Sequence, residues 1–360
     1  MIIDRIDPVA LRVPFERRPG AAGSPAPALH LLFCRVTTRS GLVGYGESLC
    51  MQARMQESLA ATVRDIVAPL FVGQSVEQRQ ALNLETRRRF ASFGRAGTIL
   101  NALGAVDTAL WDIAGKATGQ SLSAMIGGAR RKEVRVMASL DRFNDAGRVR
   151  ARVEQALVSG VAAVKVHEFD LGVIEEARRP VGADVPFVAD CNNAHELADI
   201  NRDSARWRAL NLLWLEDPVW PPERILDLPA QPGIPIGLGA DLGSAEQLAL
   251  YARAPAVAVA QPDVGMIGGV SEAVRALALL NELDVSVAPH TPFVGPAALA
   301  SLHLIAATDK PAFFATIDAE DQMDPFGIGL TRWRPTLDVP TGPGLGHDPD
   351  PAWLKRHALA

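Results

Sequence analysis

The sequence predicts an α/β protein, a parallel barrel of eight strands preceded by a smaller α+β module. Three observations carry this reading. From Val134 onward, short apolar runs alternate with helical segments. Three of those runs end on carboxylates: Phe187-Val188-Ala189 leads into Asp190, Leu212 to Leu215 into Glu216, and Ile234-Pro235-Ile236 through a glycine-rich turn into Asp241. The stretch before Gly127-Gly128 lacks this rhythm and reads as strands followed by helices.

Taken in order, residues Ile2 to Val13 alternate as a strand. Residues 17–27, rich in Gly, Pro, Ala and Arg, form a loop long enough to be a lid. Runs from His30 to Thr38 and from Leu42 to Glu47 flank the hairpin signal Arg39-Ser40-Gly41. Gln56 to Leu70 and Val76 to Phe93 read as helical. Ile99, Leu103, Val106, Leu110 and Ile113 mark one buried helix face, with Gly119 as its C-cap. The first domain therefore spans 1–126. The barrel spans 127–325, with strands at 134–139, 162–167, 185–190, 212–216, 234–239, 256–262, 285–289 and 312–317. Helices at 244–253, 268–283 and 296–308 separate some of them. The segment 326–360, rich in Pro and Gly from Arg332, is expected to return to the first domain.

Composition bounds the function. The chain has 360 residues, 48% hydrophobic and 21% charged, with a net charge of −5. That balance offers no attraction for nucleic acid or an anionic membrane surface. No apolar run approaches a membrane span. Three unpaired cysteines, Cys34, Cys50 and Cys191, and an N-terminus with early acids and no apolar core segment indicate a reduced cytoplasmic protein without a signal peptide. No nucleotide-binding glycine loop, serine elbow or His-Glu-x-x-His motif is present.

The chemistry gathers at the strand ends. Carboxylates without Cys or His suit a hard cation such as Mg2+. Lys165 and His167 stand two apart in one strand and so share a face, expected to be the barrel mouth. Asp263 and His290 end successive strands. As a pair they read as a general base with the carboxylate that fixes its tautomer, where either alone would read as an ordinary loop residue. Cys191 is expected on the opposite face of its strand and carries no role.

These residues resemble the enolase superfamily, in its mandelate racemase/muconate lactonizing enzyme-like group. The resemblance runs through Gly41 to Ser48, Ala105 to Asp112, Asp190-Cys191-Asn192, Glu216-Asp217-Pro218, Gln261 to Gly269, Pro289-His290 and Pro343 to Gly346. It implies a modified TIM barrel, (β/α)7β, capped by an α+β domain built from both chain ends. It also implies Mg2+, a small-molecule carboxylate substrate held on it, removal of the α-proton through an enediolate, and a homo-oligomer. The dyad role falls on Asp263 and His290, the carboxylate-contacting lysine on Lys165, and the first two metal ligands on Asp190 and Glu216.

Three positions depart from the family pattern. His167 stands where a second lysine is common. Ala240 stands at the third ligand position, leaving Asp241, one residue on, as the expected third ligand, direct or through water. The eighth strand lacks its usual glutamate, so Asp318 or Glu320 takes that place, and Asn192, Lys165 and Asp318 are the expected substrate-binding residues. The leading functional expectation is an acid-sugar dehydratase giving a 2-keto-3-deoxy acid, with His167 protonating the departing hydroxyl. The alternative is a racemase, an epimerase, or a cycloisomerase of a sugar acid, lactone or anhydro sugar acid. A barrel with an impaired metal site is the third reading.

Overall fold

In the first strand Ile3, Leu11 and Val13 are buried and Asp4 and Arg12 exposed, the pattern of a sheet covered on one face. The computed structural model describes residues 1–14, 28–50, 52–228, 233–310, 312–317 and 321–359. The expected lid at 17–27 and Asp318 and Glu320 lie outside the described residues. Strands β1 (Ile3–Pro14), β2 (Ala28–Thr38) and β3 (Val43–Ser48) form an antiparallel meander in that order. The β2–β3 turn closes through Thr38 N–H to Leu42 O at 2.9 Å, with Gly41 at φ 86.

The first expected helix forms with a π-helical turn, Thr62–Val67, between helical turns Ala53–Ala61 and Ala68–Phe71. The second shortens to Arg79–Arg89, flanked by 3-10 turns. The helix Thr98–Thr118 ends on left-handed Gly119 at φ 69. The sequence suggested one buried face for it. In the structure every residue from Leu100 to Gly115 is buried, because the helix lies between the meander and the barrel. Two of its polar residues bond to the barrel side, and Asp112 accepts from Tyr45 N–H of the meander at 3.1 Å. Asp107 accepts from Ser271 N and Oγ at 2.8 and 2.6 Å, and the Trp111 indole donates to Ser271 Oγ at 2.9 Å.

The barrel strands are β4 (Glu133–Ser139), β5 (Ala163–Val166), β6 (Phe187–Asp190), β7 (Trp214–Glu216), β8 (Ile236–Leu238), β9 (Val257–Ala260), β10 (Ser286–Val287) and β11 (Phe313–Ile317). All eight run parallel in the order β10-β9-β8-β7-β6-β5-β4-β11. Each falls within the expected run or one residue of it, but several are shorter. Pro235, Pro262 and Pro289 lack the N–H that would continue the ladder and cut β8, β9 and β10 back. Among the described residues no ladder joins β10 to β11. The Thr291 hydroxyl donates to Ala315 O at 2.7 Å across that seam. A ninth strand that the sequence did not suggest, β12 (Thr336–Asp338), pairs antiparallel with β4.

Alternation along the strands fixes what faces inward. Met137, Ala163, Val188, Trp214, Val259, Ala288, Phe313 and Ala315 form one apolar cluster, with residues from all but one of the eight strand runs. Strand β8 contributes Gly237 at this level, and a Cβ there would stand 2.3 Å from Trp214 Cδ1, so the indole fills that place. Two residues further along the same face come Ser139, Lys165, Asp190, Glu216, Gln261 and His290. The apolar plug is thus the floor on which the polar mouth stands.

The C-terminal helix contacts the meander. The helix Pro351–His357 stacks Trp353 on Phe33 at 6.3 Å, and Leu359 N–H donates to Ala10 O at 2.9 Å. No helix among the described residues is long and apolar enough to cross a membrane.

Candidate active site

Lys165 is 2% exposed and its ammonium lies between two carboxylates, 2.9 Å from Asp190 Oδ2 and hydrogen-bonded to Glu216 Oε1. Burial works against its charged form, but Asp190 and Glu216 outweigh this and raise its pKa. Burial likewise pushes the Asp190 carboxyl up, but Lys165 and His167 hold it well below the usual carboxylate range. The other oxygen of Asp190 accepts from the backbone and side-chain N–H groups of Asn192, both at 2.9 Å. Glu216 Oε2 accepts from the Trp214 indole at 3.0 Å, which ties the floor to the mouth.

Asp217 completes this acidic group. Oxygens of Asp190, Glu216 and Asp217 lie within 4.8 Å of one another. On a regular strand Asp217 would face the outer helices. Its left-handed φ of 38 turns the chain as it leaves β7 and keeps the carboxylate with its neighbours. Burial, with Asp190, Glu216 and Asp241 adding repulsion, raises its carboxyl well above the ordinary range. Asp241, the expected third ligand, is exposed and stands outside this group. The expectation for Asp241 required a distorted turn after β8. The turn after β8 does bend, with Gly239 at φ 128, yet Asp241 stays exposed, and it is Asp217, one strand earlier, that lies with Asp190 and Glu216.

His290 and Asp263 meet as expected, with Nδ1 2.6 Å from Asp263 Oδ2. Asp263 is fully buried, and its other oxygen accepts from Gly265 and Met266 N–H at 2.8 and 3.1 Å. A carboxylate so held accepts a hydrogen bond from Nδ1–H and leaves Nε2 of His290 as the free acceptor. Burial opposes the charged imidazole, but Asp263 outweighs it and raises His290 above the ordinary histidine value.

His167 is placed differently. Its Nδ1 lies 2.5 Å from Leu140 O and its Nε2 3.2 Å from Asp190 Oδ2. A carbonyl and a carboxylate oxygen are both acceptors, so each ring nitrogen of His167 faces an acceptor. Lys165 and His167 therefore do face the same carboxylate, as their two-residue spacing requires.

Trp214, Gln261, Asp217 and Arg142 are site neighbours that the sequence reading did not single out. The signal available for Asp217 was its place beside Glu216 combined with alanine at position 240. Arg142, just past β4, donates to His167 O at 3.2 Å and to Asn192 Oδ1 at 2.7 Å.

An eight-stranded parallel barrel with a meander cap, carrying carboxylates and a histidine dyad at its C-terminal mouth, defines an enolase-type barrel architecture. The chain matches the mandelate racemase / muconate lactonizing enzyme N-terminal domain over residues 12–127 and the enolase C-terminal domain-like family over residues 148–353. It belongs to this family. Among its relatives it is 26% identical to arabinonate dehydratase of Saccharolobus solfataricus, covering 89% of this chain and 88% of that one. It is 29% identical to D-galactarolactone cycloisomerase of Agrobacterium fabrum, covering 85% of each. In fold it is similar to the 3,6-anhydro-D-galactonate cycloisomerase of Zobellia galactanivorans, with a TM-score of 0.83, 24% identity and all of both chains covered.

Proposed function

We propose that this chain removes the proton α to the carboxylate of a sugar acid and expels a β-oxygen, most simply as water, giving a 2-keto-3-deoxy acid. The observation that carries this reading is the unlike surroundings of two histidines at one mouth. His290 presents a free Nε2 backed by Asp263, the arrangement of a base. His167 has acceptors on both ring nitrogens, the arrangement of a proton donor. β-Elimination needs one of each. Racemisation also needs one group of each kind, but its acid must return a proton to the α-carbon rather than to the β-oxygen.

The donor set at Asp190, Glu216 and Asp217 fits a hard divalent cation, for which Mg2+ is our assignment, since oxygen ligands alone converge there and Asp217 is crowded by three like charges. When bound, the cation supplies positive charge beside the substrate carboxylate as the α-carbon loses its proton. Lys165 holds Asp190 and Glu216 together from beneath and offers its remaining N–H to the substrate carboxylate. His290 takes the α-proton on Nε2. His167 delivers a proton to the departing β-oxygen. Asn192 fixes the Asp190 carboxylate.

A second reading, cycloisomerisation of a lactone or anhydro sugar acid, uses the same base and acid, with a ring oxygen as the leaving group. The relative named D-galactarolactone cycloisomerase favours it. The reading also places the protein in the cytoplasm as a homo-oligomer; its three free, buried cysteines are in keeping with a reducing compartment. The test is incubation of the full chain with Mg2+ in deuterated water and a panel of aldonic and aldaric acids. A dehydratase is expected to lose water and to carry one solvent deuterium at C3 of the 2-keto product, where the enol is protonated. Ring opening or closure with the same labelling selects the cycloisomerase. The appearance of neither product, with no loss of the α-proton from any acid, overturns the proposal.

A further inference from the structure

Arg142 stands at the rim of the mouth as a half-buried guanidinium. Its guanidinium carbon lies 3.5 Å from the centre of the Phe169 ring. Its Nε donates to His167 O and its Nη2 to Asn192 Oδ1, both neutral acceptors. Among the described residues it forms no salt bridge. Glu168, the nearby acid, has both oxygens occupied by the backbone N–H groups of Phe143 and Asn144, at 2.7 and 3.1 Å. Those two bonds pin the chain that follows Arg142, so the side chain is held in place from both ends.

Glu168 and Asp190 attract Arg142 only from beyond salt-bridge distance, so a partly desolvated guanidinium here still gains from a ligand that pairs with it directly. Lys165, the other cation of the mouth, is already shared between Asp190 and Glu216. Arg142 has N–H groups to spare in a planar fork, the geometry that matches a carboxylate. It stands on the β5–β6 side, next to His167 and Asn192, whereas His290 rises from β10 on the other wall. The reacting carbon must lie by His290, so Arg142 meets a part of the substrate remote from the reaction.

We infer that Arg142 binds a second, distal carboxylate, and that the preferred substrate is a sugar diacid or its monolactone rather than a simple aldonic acid. This rests on the sugar-acid reading above. Phe169 keeps the guanidinium flat, Asn192 and the His167 carbonyl set its angle, and the free edge receives the anion.

The test is calorimetric binding of two matched pairs, galactarate with galactonate and glucarate with gluconate, to the full chain in Mg2+. It is run on the unaltered protein, on Arg142→Met and on Arg142→Gln, the last keeping a hydrogen bond to Asn192 without the charge. The unaltered protein is expected to bind at least one diacid about tenfold or more tighter than its monoacid. Each variant should lower that preference about 10- to 100-fold. A diacid bound no better than its monoacid, or variants that weaken both equally, overturns the inference. Should the variants fail to fold, the preference of the unaltered protein decides. α-Proton exchange is read separately. A diacid preference that depends on Arg142 without any exchange leaves the diacid inference standing and removes the reaction. Exchange of monoacids with no diacid preference does the reverse.

Discussion

The bond from His290 Nδ1 to Asp263 at 2.6 Å sets the expected pH dependence of proton abstraction. A base works only when unprotonated, and Asp263 raises His290 above the ordinary histidine value of 6.5. The acid limb of kcat/KM should therefore lie above that value, with activity rising as pH climbs through it. Asp263→Asn removes the group that raises His290, so the limb should move to lower pH while the rate drops; an unmoved limb in a pH–rate profile would mean that another group sets it. His290→Asn should lower turnover by about 10²–10⁴-fold while Mg2+ still binds, measured by α-proton exchange and calorimetry. At the acidic group the two candidate third ligands make opposite predictions. Asp217→Asn should weaken Mg2+ binding about tenfold or more, and Asp241→Asn should leave it nearly unchanged, because Asp241 is exposed and outside the convergent set. The reverse result in a Mg2+ titration would restore Asp241.

At the scale of elements, strand β3 and the helix Thr98–Thr118 approach backbone to backbone. A Cβ on Gly46 would stand 1.8 Å from Ala105 O, and one on Gly44 2.3 Å from Ala109 O. Neither obstacle is the flexible end of a side chain, so the helix or the strand must move. Gly46→Ala should destabilise the protein by about 3 kcal/mol, at the upper end of what overpacking usually costs. Urea unfolding measures this, and a variant within 1 kcal/mol of the original would mean that the two elements slide apart easily. The contact also bears on the site. The next residue of β3, Glu47, accepts from Gly295 and Ala297 N–H at 3.1 Å each, at the start of the barrel helix Pro296–Ala306. A shift of β3 is thus passed to the segment that follows His290.

Across the whole molecule, two buried titratable groups join distant parts of the chain and bind protons in opposite senses. His303 donates to Leu345 O at 3.2 Å and accepts from Ser123 N–H at 3.4 Å, so its neutral form joins the barrel, the C-terminal segment and the interdomain turn. Burial lowers it from 6.5 to about 4. The unfolded chain then binds the extra proton between those values, and stability should fall as pH drops from 6.5 towards 4, by about 3 kcal/mol at full extent. Glu47 is opposite: burial raises it from 4.5 to about 8, so it folds protonated and stability is lost as pH rises through that range. Urea midpoints should show His303→Gln reducing the acid-side loss and Glu47→Gln reducing the alkaline-side loss. If neither variant changes its own limb, other groups control the pH range of the fold.

The eight-stranded rhythm, the meander and the strand-end residues Asp190, Glu216, Lys165, His167, Asp263 and His290 were legible from the chain alone. Each depends on local rules: apolar runs make strands, alternation sends every second side chain inward, and parallel strands collect their ends at one mouth. Where a local rule was broken, reading stopped. Asp217 belongs with the carboxylates because φ at that residue is 38, a backbone state that alternation does not anticipate and that the neighbouring strands impose. The Trp214 indole fills the place left by Gly237, a fit between two strands that neither strand shows alone. The burial of Thr98–Thr118 on every side required the barrel to be set against the cap. The contacts of His167 and of Arg142 depend on which acceptors other loops bring to them. The sequence determined the class of chemistry by placing its groups on strand ends; only tertiary contacts decided which carboxylates converge, what His167 touches and where Arg142 stands, because those are set by distances between segments far apart in the chain.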